Sequence, residues 1–254
     1  MKYHLFNSHE TEQLFKHNNL SEFEQLWALD CAWFEEPNYR RNGWSGVSKY
    51  ALKEAAGDPC HVFIKRQENH NYKTLLHPIK GVPTFRREFF NIKRLEKNQI
   101  PTLVELYYGE RVINGKQQSI LITQSLEAYQ SFEDYFQPEN SPPEDLVTQI
   151  MQVAGQNVRL LHDAHFRHGS LYPKHFFVKV NKEQTDVRLI DLEKLKWYPF
   201  KRPVRFNDIS RIIRHRGPIS KQAIAFFIES YLKKGNDLSR TRLAQSLYSL
   251  LEKS

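Results

Sequence analysis

The sequence predicts an α+β fold with two lobes, a small strand-rich N-lobe and a larger helical C-lobe. Three observations carry this expectation. Short runs rich in β-branched and aromatic residues gather before residue 124, and apolar stripes of helical period follow residue 143. Between them lies a stretch rich in proline and polar residues, Pro138 to Pro143. The expected layout is residues 1–124 as the N-lobe with a helical extension at its start, 125–137 as a hinge region and 138–254 as the C-lobe, all in a single domain.

Taken in order, Ser21 and Glu24 form a capping box ahead of Phe23, Leu26 and Trp27, which predicts a short helix. The segment from Glu35 to Val47 reads as turn-rich and holds Gly43 and Gly46, two of only 10 glycines. His61 to Lys65 reads as a short strand with an apolar centre. Arg86 to Asn98 reads as a helix, with Phe85, Phe89, Ile92 and Leu95 at spacings of four, three and three, and Pro101 marks the exit. Residues 103–108 and 119–123 flank Asn114-Gly115, a dipeptide suited to a tight hairpin turn.

Ser141 can cap, and Pro142 can open, a long helix running to about His162. Its stripe is Val147, Met151, Ala154, Val158 and Leu161. Phe176–Val180 and Val187–Asp191 read as a second hairpin, and past Asn207 the chain reads as helical to its end. Leu243, Leu247, Leu250 and Leu251 close a last amphipathic helix.

Composition narrows the function classes. At 254 residues, 40% hydrophobic and 13% aromatic, the chain can fill a core, so wholesale disorder is excluded. The longest apolar run, Ala223 to Ile228, is far short of the roughly 20 residues that span a bilayer. Met1 to Gln13 lacks the apolar stretch of a secretory signal, so a cytoplasmic protein is expected. Cys31 and Cys60 make neither a disulfide framework nor a thiolate zinc site. The net charge is +8, and Lys196 to Gly217 alone holds seven basic residues against one acid, Asp208. That excess predicts an anionic partner or, alternatively, a solvated basic face. Trp197, Tyr198 and Phe200 interleave with these cations, a mixture suited to peripheral contact with an anionic membrane surface.

The most informative segment is His168-Gly169-Ser170-Leu171-Tyr172-Pro173-Lys174-His175, followed by the hairpin and Asp191-Leu192-Glu193. Protein kinases place a His-Arg-Asp-Leu-x-x-x-Asn loop ahead of a hairpin that ends in a metal-binding Asp. Here the His, the Leu and the gap match in register, with His175 at the Asn position. Lys65 at a strand end could pair with nucleotide phosphates, and Glu88, 23 residues on, could be its helix partner. Gly43 and Gly46 could let backbone N–H groups approach those phosphates. Two ordinary surface charges is the competing account of Lys65 and Glu88.

These stretches, together with Glu35-Glu36-Pro37-Asn38 leading into Arg40 to Val47, resemble the lipopolysaccharide kinase family, the Kdo/WaaP group, and its InaA-like branch. The resemblance covers roughly residues 30 to 230. It implies a protein-kinase-like fold, ATP with Mg2+, and a phosphorylated inner-core sugar of a lipopolysaccharide, Kdo or heptose, as acceptor. It also implies Lys65 as the nucleotide lysine, Glu88 as its partner and Asp191 as a metal ligand, with His175 in place of the kinase Asn. Such a protein would work in the cytoplasm or peripherally at the inner face of the inner membrane.

The sequence departs from the kinase pattern at Ser170, where the catalytic Asp is expected, and a hydroxyl is a far poorer proton acceptor than a carboxylate. Asp163 or His168 could substitute as base, although Asp163 also fits a helix-end surface acid. Loss of turnover, leaving a nucleotide-binding regulator, is therefore the second function class. A nucleic-acid module built on the basic window is the third, and it is not expected because the aromatic and basic residues lack an RNA-binding pattern. His162, His165 and His168 are spaced by three and three, so on a helix they diverge rather than converge on a metal.

Overall fold

Val62, Ile64 and Arg66 project from one side of a strand and Phe63, Lys65 and Gln67 from the other, and this alternation organises the first half of the molecule. A computed structural model describes residues 3–40, 43–75, 77–140, 142–181, 184–199, 201–232 and 238–254. The chain divides into two compact units, Met1–Lys93 with Leu103–Glu127, and Arg94–Thr102 with Ala128–Ser254.

In the first unit the order is β1 (Tyr3–Phe6), α1 (His9–His17), α2 (Phe23–Ala28), β2 (Trp33–Arg40), β3 (Gly43–Leu52), β4 (Cys60–Glu68), β5 (Asn71–Tyr72), β6 (Val82–Pro83), α3 (Thr84–Lys97), β7 (Glu105–Ile113) and β8 (Lys116–Gln124). Six strands make an antiparallel sheet in the order β1-β7-β8-β4-β3-β2. The register aligns Ile64, Ile122 and Tyr107, which join Phe15, Phe23 and Leu26 of the two early helices in one buried cluster. One residue along, Lys65, Leu121 and Tyr108 align on the opposite face, where Phe89 of α3 stacks on Tyr108 at 4.4 Å. Strand pleating alone thus delivers Lys65 to the side on which α3 lies.

Several expectations are corrected here. The α2 cap is Glu22, whose N–H donates to Gln25 Oε1 at 2.9 Å, one residue later than the Ser21 box. The supposed turn-rich stretch is mostly strand: β2 and β3 pair antiparallel, with register shifts between Glu35 and Asn38, beside Pro37, which has no N–H to give a ladder. Arg41 and Asn42 of that stretch lie outside the described residues. The polar start of the chain supplies a strand and a helix, β1 and α1, the latter capped by Ser8, which accepts from Thr11 N at 3.2 Å. The β7–β8 hairpin turns at Asn114 (φ 50°) and Gly115 (φ 76°), both left-handed as a two-residue turn of this kind requires.

The second unit contains β9 (Gln130–Ser131), α4 (Phe132–Tyr135), α5 (Glu144–Asp163), β10 (Phe166–Arg167), β11 (Phe176–Val180), β12 (Thr185–Leu189), β13 (Lys196–Trp197), α6 (Lys201–Arg214), α7 (Lys221–Leu232) and α8 (Leu238–Lys253). The long helix starts two residues beyond Pro142, with Pro143 at its N-cap, while Ser141 lies outside the described residues. It buries Met151, Ala154, Val158 and Leu161 and packs on α7 and β12, where Asn157 Nδ2 donates to Val187 O at 2.6 Å. Helix α6 begins at Lys201, earlier than Asn207. Pro101 and Thr102 meet the end of β12: Leu189 N donates to Pro101 O at 3.1 Å, and Thr102 Oγ1 to Leu189 O at 2.6 Å.

Candidate active site

Two groups of side chains, one in each unit, answer to the residues singled out from the sequence. In the first unit Lys65 Nζ meets Glu88 Oε1 at 2.5 Å, with the Glu88 side chain 7% exposed and that of Lys65 20%. A carboxylate so enclosed needs a cation, and β4 and α3 supply the pair from different elements. Gly43 and Gly46 have a nearer cause than a bound phosphate. A Cβ on Gly43 would lie 2.1 Å from Glu68 O, and one on Gly46 2.5 Å from the Trp33 ring, so the chain's own packing demands both glycines. Gly46 also lies in β3, which is paired on both edges.

In the second unit the loop from His168 to His175 is held by the one acid of the basic window. Asp208, on α6 and fully buried, accepts from His168 N at 2.7 Å, from Gly169 N at 3.0 Å and from His162 Nε2 at 3.3 Å. Burial alone would raise its carboxyl, but the hydrogen bonds from His162 and Gly169 and the neighbouring His168 hold it below the usual carboxylate value. Gly169 adopts φ 79° to present its N–H, a conformation costly for most side chains. The signal was present in the sequence, since Asp208 sits four residues from both Val204 and Ile212, an acid inside an apolar helical stripe.

The same geometry bears on two of the candidate catalytic residues. His168 is fully buried, with Nε2 donating to Ile190 O at 3.0 Å and Nδ1 accepting from Ser170 N at 3.3 Å. Burial pushes its pKa down to about 4, and with both nitrogens engaged it is not presented as a base. Ser170 is 1% exposed, and its Oγ is buried without a hydrogen-bond partner, so the hydroxyl is not presented to a substrate either. Asp163 ends α5 and pairs with Arg205 NH2 at 3.0 Å, which matches the helix-end acid. The three histidines go separate ways: His162 also meets Tyr231 OH at 2.9 Å, and His165 Nδ1 meets Tyr198 O at 3.2 Å.

His175 and Asp191 do come together. His175 Nδ1 donates to Ser170 O at 2.6 Å, which fixes the tautomer and turns the Nε2 lone pair toward Asp191 Oδ2, 3.5 Å away. Two acceptor atoms facing each other suit a shared cation or proton. Asp191 reaches this place with φ 58°, ψ 59°, a left-handed backbone that Asp tolerates better than most residues. Among the described residues no group of three or more His, Cys, Asp or Glu side chains could hold a metal ion. An ion here would need further ligands, such as phosphate oxygens, to complete its shell, as magnesium commonly does.

The basic window proves not to be one face. Arg205 is committed to Asp163, and Arg211 lies 3.5 Å from Asp208, while the Arg216 guanidinium donates to Ile219 O at 2.7 Å. Trp197 is 59% exposed; Phe200 and the side chains of Lys201 and Arg202 lie outside what is described.

The chain is similar to known proteins in sequence and in fold. Residues 24–231 match the model of the lipopolysaccharide kinase (Kdo/WaaP) family. Protein InaA of Escherichia coli (strain K12) is 31% identical over 203 residues, covering 79% of this chain and 90% of its own length. Among solved structures, WaaP in complex with acyl carrier protein aligns with a TM-score of 0.67 at 18% identity, covering 99% of this chain and 95% of that one. The α+β, protein-kinase-like fold expected from the sequence is therefore the fold of this chain.

Proposed function

Because the chain belongs to the lipopolysaccharide kinase (Kdo/WaaP) family, we propose that it transfers a phosphoryl group from ATP to an inner-core sugar of a lipopolysaccharide or a related glycolipid. The observation that carries this reading is the Lys65–Glu88 ion pair, enclosed and supplied by separate elements. In phosphoryl transfer a lysine so oriented grips the nucleotide phosphates while its carboxylate partner sets its position. His175 and Asp191 are the residues that would hold Mg2+, which when bound neutralises charge on the phosphate oxygens. Such transfer depends on positioning and charge neutralisation more than on a strong base, so the absence of a carboxylate at position 170 is compatible with turnover. Gly43 and Gly46 then serve by letting the strands close against Glu68 and Trp33, not by touching phosphate.

A second reading, a nucleotide-binding regulator without turnover, is favoured by the enclosed Ser170 hydroxyl. ATP titration by calorimetry with magnesium, followed by ATP consumption with and without purified inner-core glycolipid, tests both. Lys65→Met is expected to lose roughly 1.5–3 kcal/mol of ATP affinity, the worth of a charge-assisted hydrogen bond, and Asp191→Ala should abolish most of the magnesium dependence. Unchanged ATP affinity in both variants sinks either reading. Binding without consumption in the presence of acceptor favours the regulator.

A further inference from the structure

Within the second unit a cavity of about 700 Å3 is lined by Lys174, Arg214, His215 and Arg216, with the Tyr172 ring and one acid, Glu133. The volume falls in the roughly 300–1,000 Å3 range of small-molecule sites. Three segments converge on it. Tyr172 and Lys174 come from the end of the Ser170–His175 loop, Arg214, His215 and Arg216 from the end of α6 and the turn that follows, and Glu133 from α4. The negative end of a helix accounts for cations at Arg214 and Arg216, but not for Lys174, which comes from another segment.

The cavity is also prepared for a ligand. The hydrogen bond from Arg216 to Ile219 O at 2.7 Å holds the guanidinium, and the Tyr172 ring is met edge-on by His215 at 5.1 Å and His175 at 5.8 Å. Lys174 and Arg214 are exposed and, among the described residues, have no ion pair. A concave wall carrying more cations than Glu133 can offset concentrates a positive field.

We propose that this cavity is an anchoring subsite for a phosphate monoester on a sugar, with Lys174, Arg214 and Arg216 donating to the phosphate oxygens and the Tyr172 ring against the sugar's apolar C–H face. The inference rests on the phosphotransferase reading in one respect, that the anchored sugar is the acceptor. Arginine suits this task because its planar fork matches phosphate oxygens in pairs. The loop that carries His175 would then be continuous with the residues that hold the acceptor.

The test uses the full chain without nucleotide or added metal, titrated calorimetrically with glucose 6-phosphate, glucose and inorganic phosphate. Glucose 6-phosphate should bind more tightly than inorganic phosphate, and glucose should not bind. The double variant Lys174→Gln/Arg214→Gln should bind the sugar phosphate at least about tenfold more weakly. Its melting temperature should be unchanged, since neither side chain has an ion pair to lose. Equal binding of glucose, or an unchanged affinity in the double variant, overturns the proposal. Inorganic phosphate binding as tightly as glucose 6-phosphate overturns the sugar part. Capture by phosphatidylcholine vesicles containing phosphatidic acid, with no binding of glucose 6-phosphate, overturns it in favour of a lipid headgroup. Lys65→Met, run in parallel, should lose ATP affinity and keep sugar-phosphate affinity, which separates failure of this subsite from failure of the nucleotide reading.

Discussion

Asp208 and His168 touch through the backbone, yet they respond to acid in different pH ranges. His168 is harder to protonate in the folded chain than in the unfolded one, with its pKa pushed from 6.5 to about 4, so acidification through that interval favours unfolding. The Asp208 carboxyl is held below its ordinary 3.8. Its contribution is therefore fully present above that value and lost as pH falls through the lower folded one. Asp208→Asn should cost about 3 kcal/mol at pH 7, and the gap to the parent protein should narrow toward pH 3. Urea midpoints at pH 7, 5 and 3 check this, and a constant gap would mean that Asp208 acts through packing alone. Lys65 and Glu88 were legible because an apolar strand run and a helix face can each be recognised locally, although the strand runs on to Glu68 and Lys65 does not end it. Asp208 was not, since the His168 N–H it binds lies 40 residues earlier and only the fold brings them together.

At the scale of elements, close approach of α5 and α7 depends on Gly155. A Cβ there would lie 2.5 Å from Phe227 O and 3.0 Å from Tyr231 N, both backbone atoms that cannot step aside cheaply. Alanine gains about 1 kcal/mol of helix propensity, but overpacking of this kind costs typically 1–3 kcal/mol. Gly155→Ala should thus be destabilising by up to about 2 kcal/mol, measured by chemical denaturation. An unchanged or raised midpoint would mean that the helices can separate without cost. The helices themselves were readable because their stripes repeat over several turns, and the β7–β8 hairpin because Asn114-Gly115 specifies its turn. The β2–β3 pair was not, because Pro37, Gly43 and Gly46 imitate loop composition while neighbouring strands impose the ladder.

For the whole molecule, the seven basic residues between Lys196 and Gly217 overstate the cations that a partner can meet. Arg205 and Arg211 are turned inward to Asp163 and Asp208. Among the described residues no helix is long and apolar enough to cross a membrane. If the protein attaches peripherally to an anionic surface, co-sedimentation with anionic vesicles should fall with added salt as screening shortens its reach. Arg205→Gln should leave that binding intact and lower thermal stability instead. Loss of vesicle binding in this variant would place Arg205 on the contact face after all.

The chain passes between its two units three times, leaving the first after Lys93, returning at Leu103 and leaving again after Glu127. The excursion from Arg94 to Thr102 ends against β12, where Pro101 and Thr102 bond Leu189, and Asp191 follows β12 by two residues. A single crossover between related genes therefore cannot exchange one intact unit for another. Any recombinant joined near residue 128 would pair one parent's β12 with the other parent's strap, so Thr102, Leu189 and their neighbours must be inherited as a set although 87 positions separate them. The unit of heredity in this fold is the interleaved pair, not the lobe.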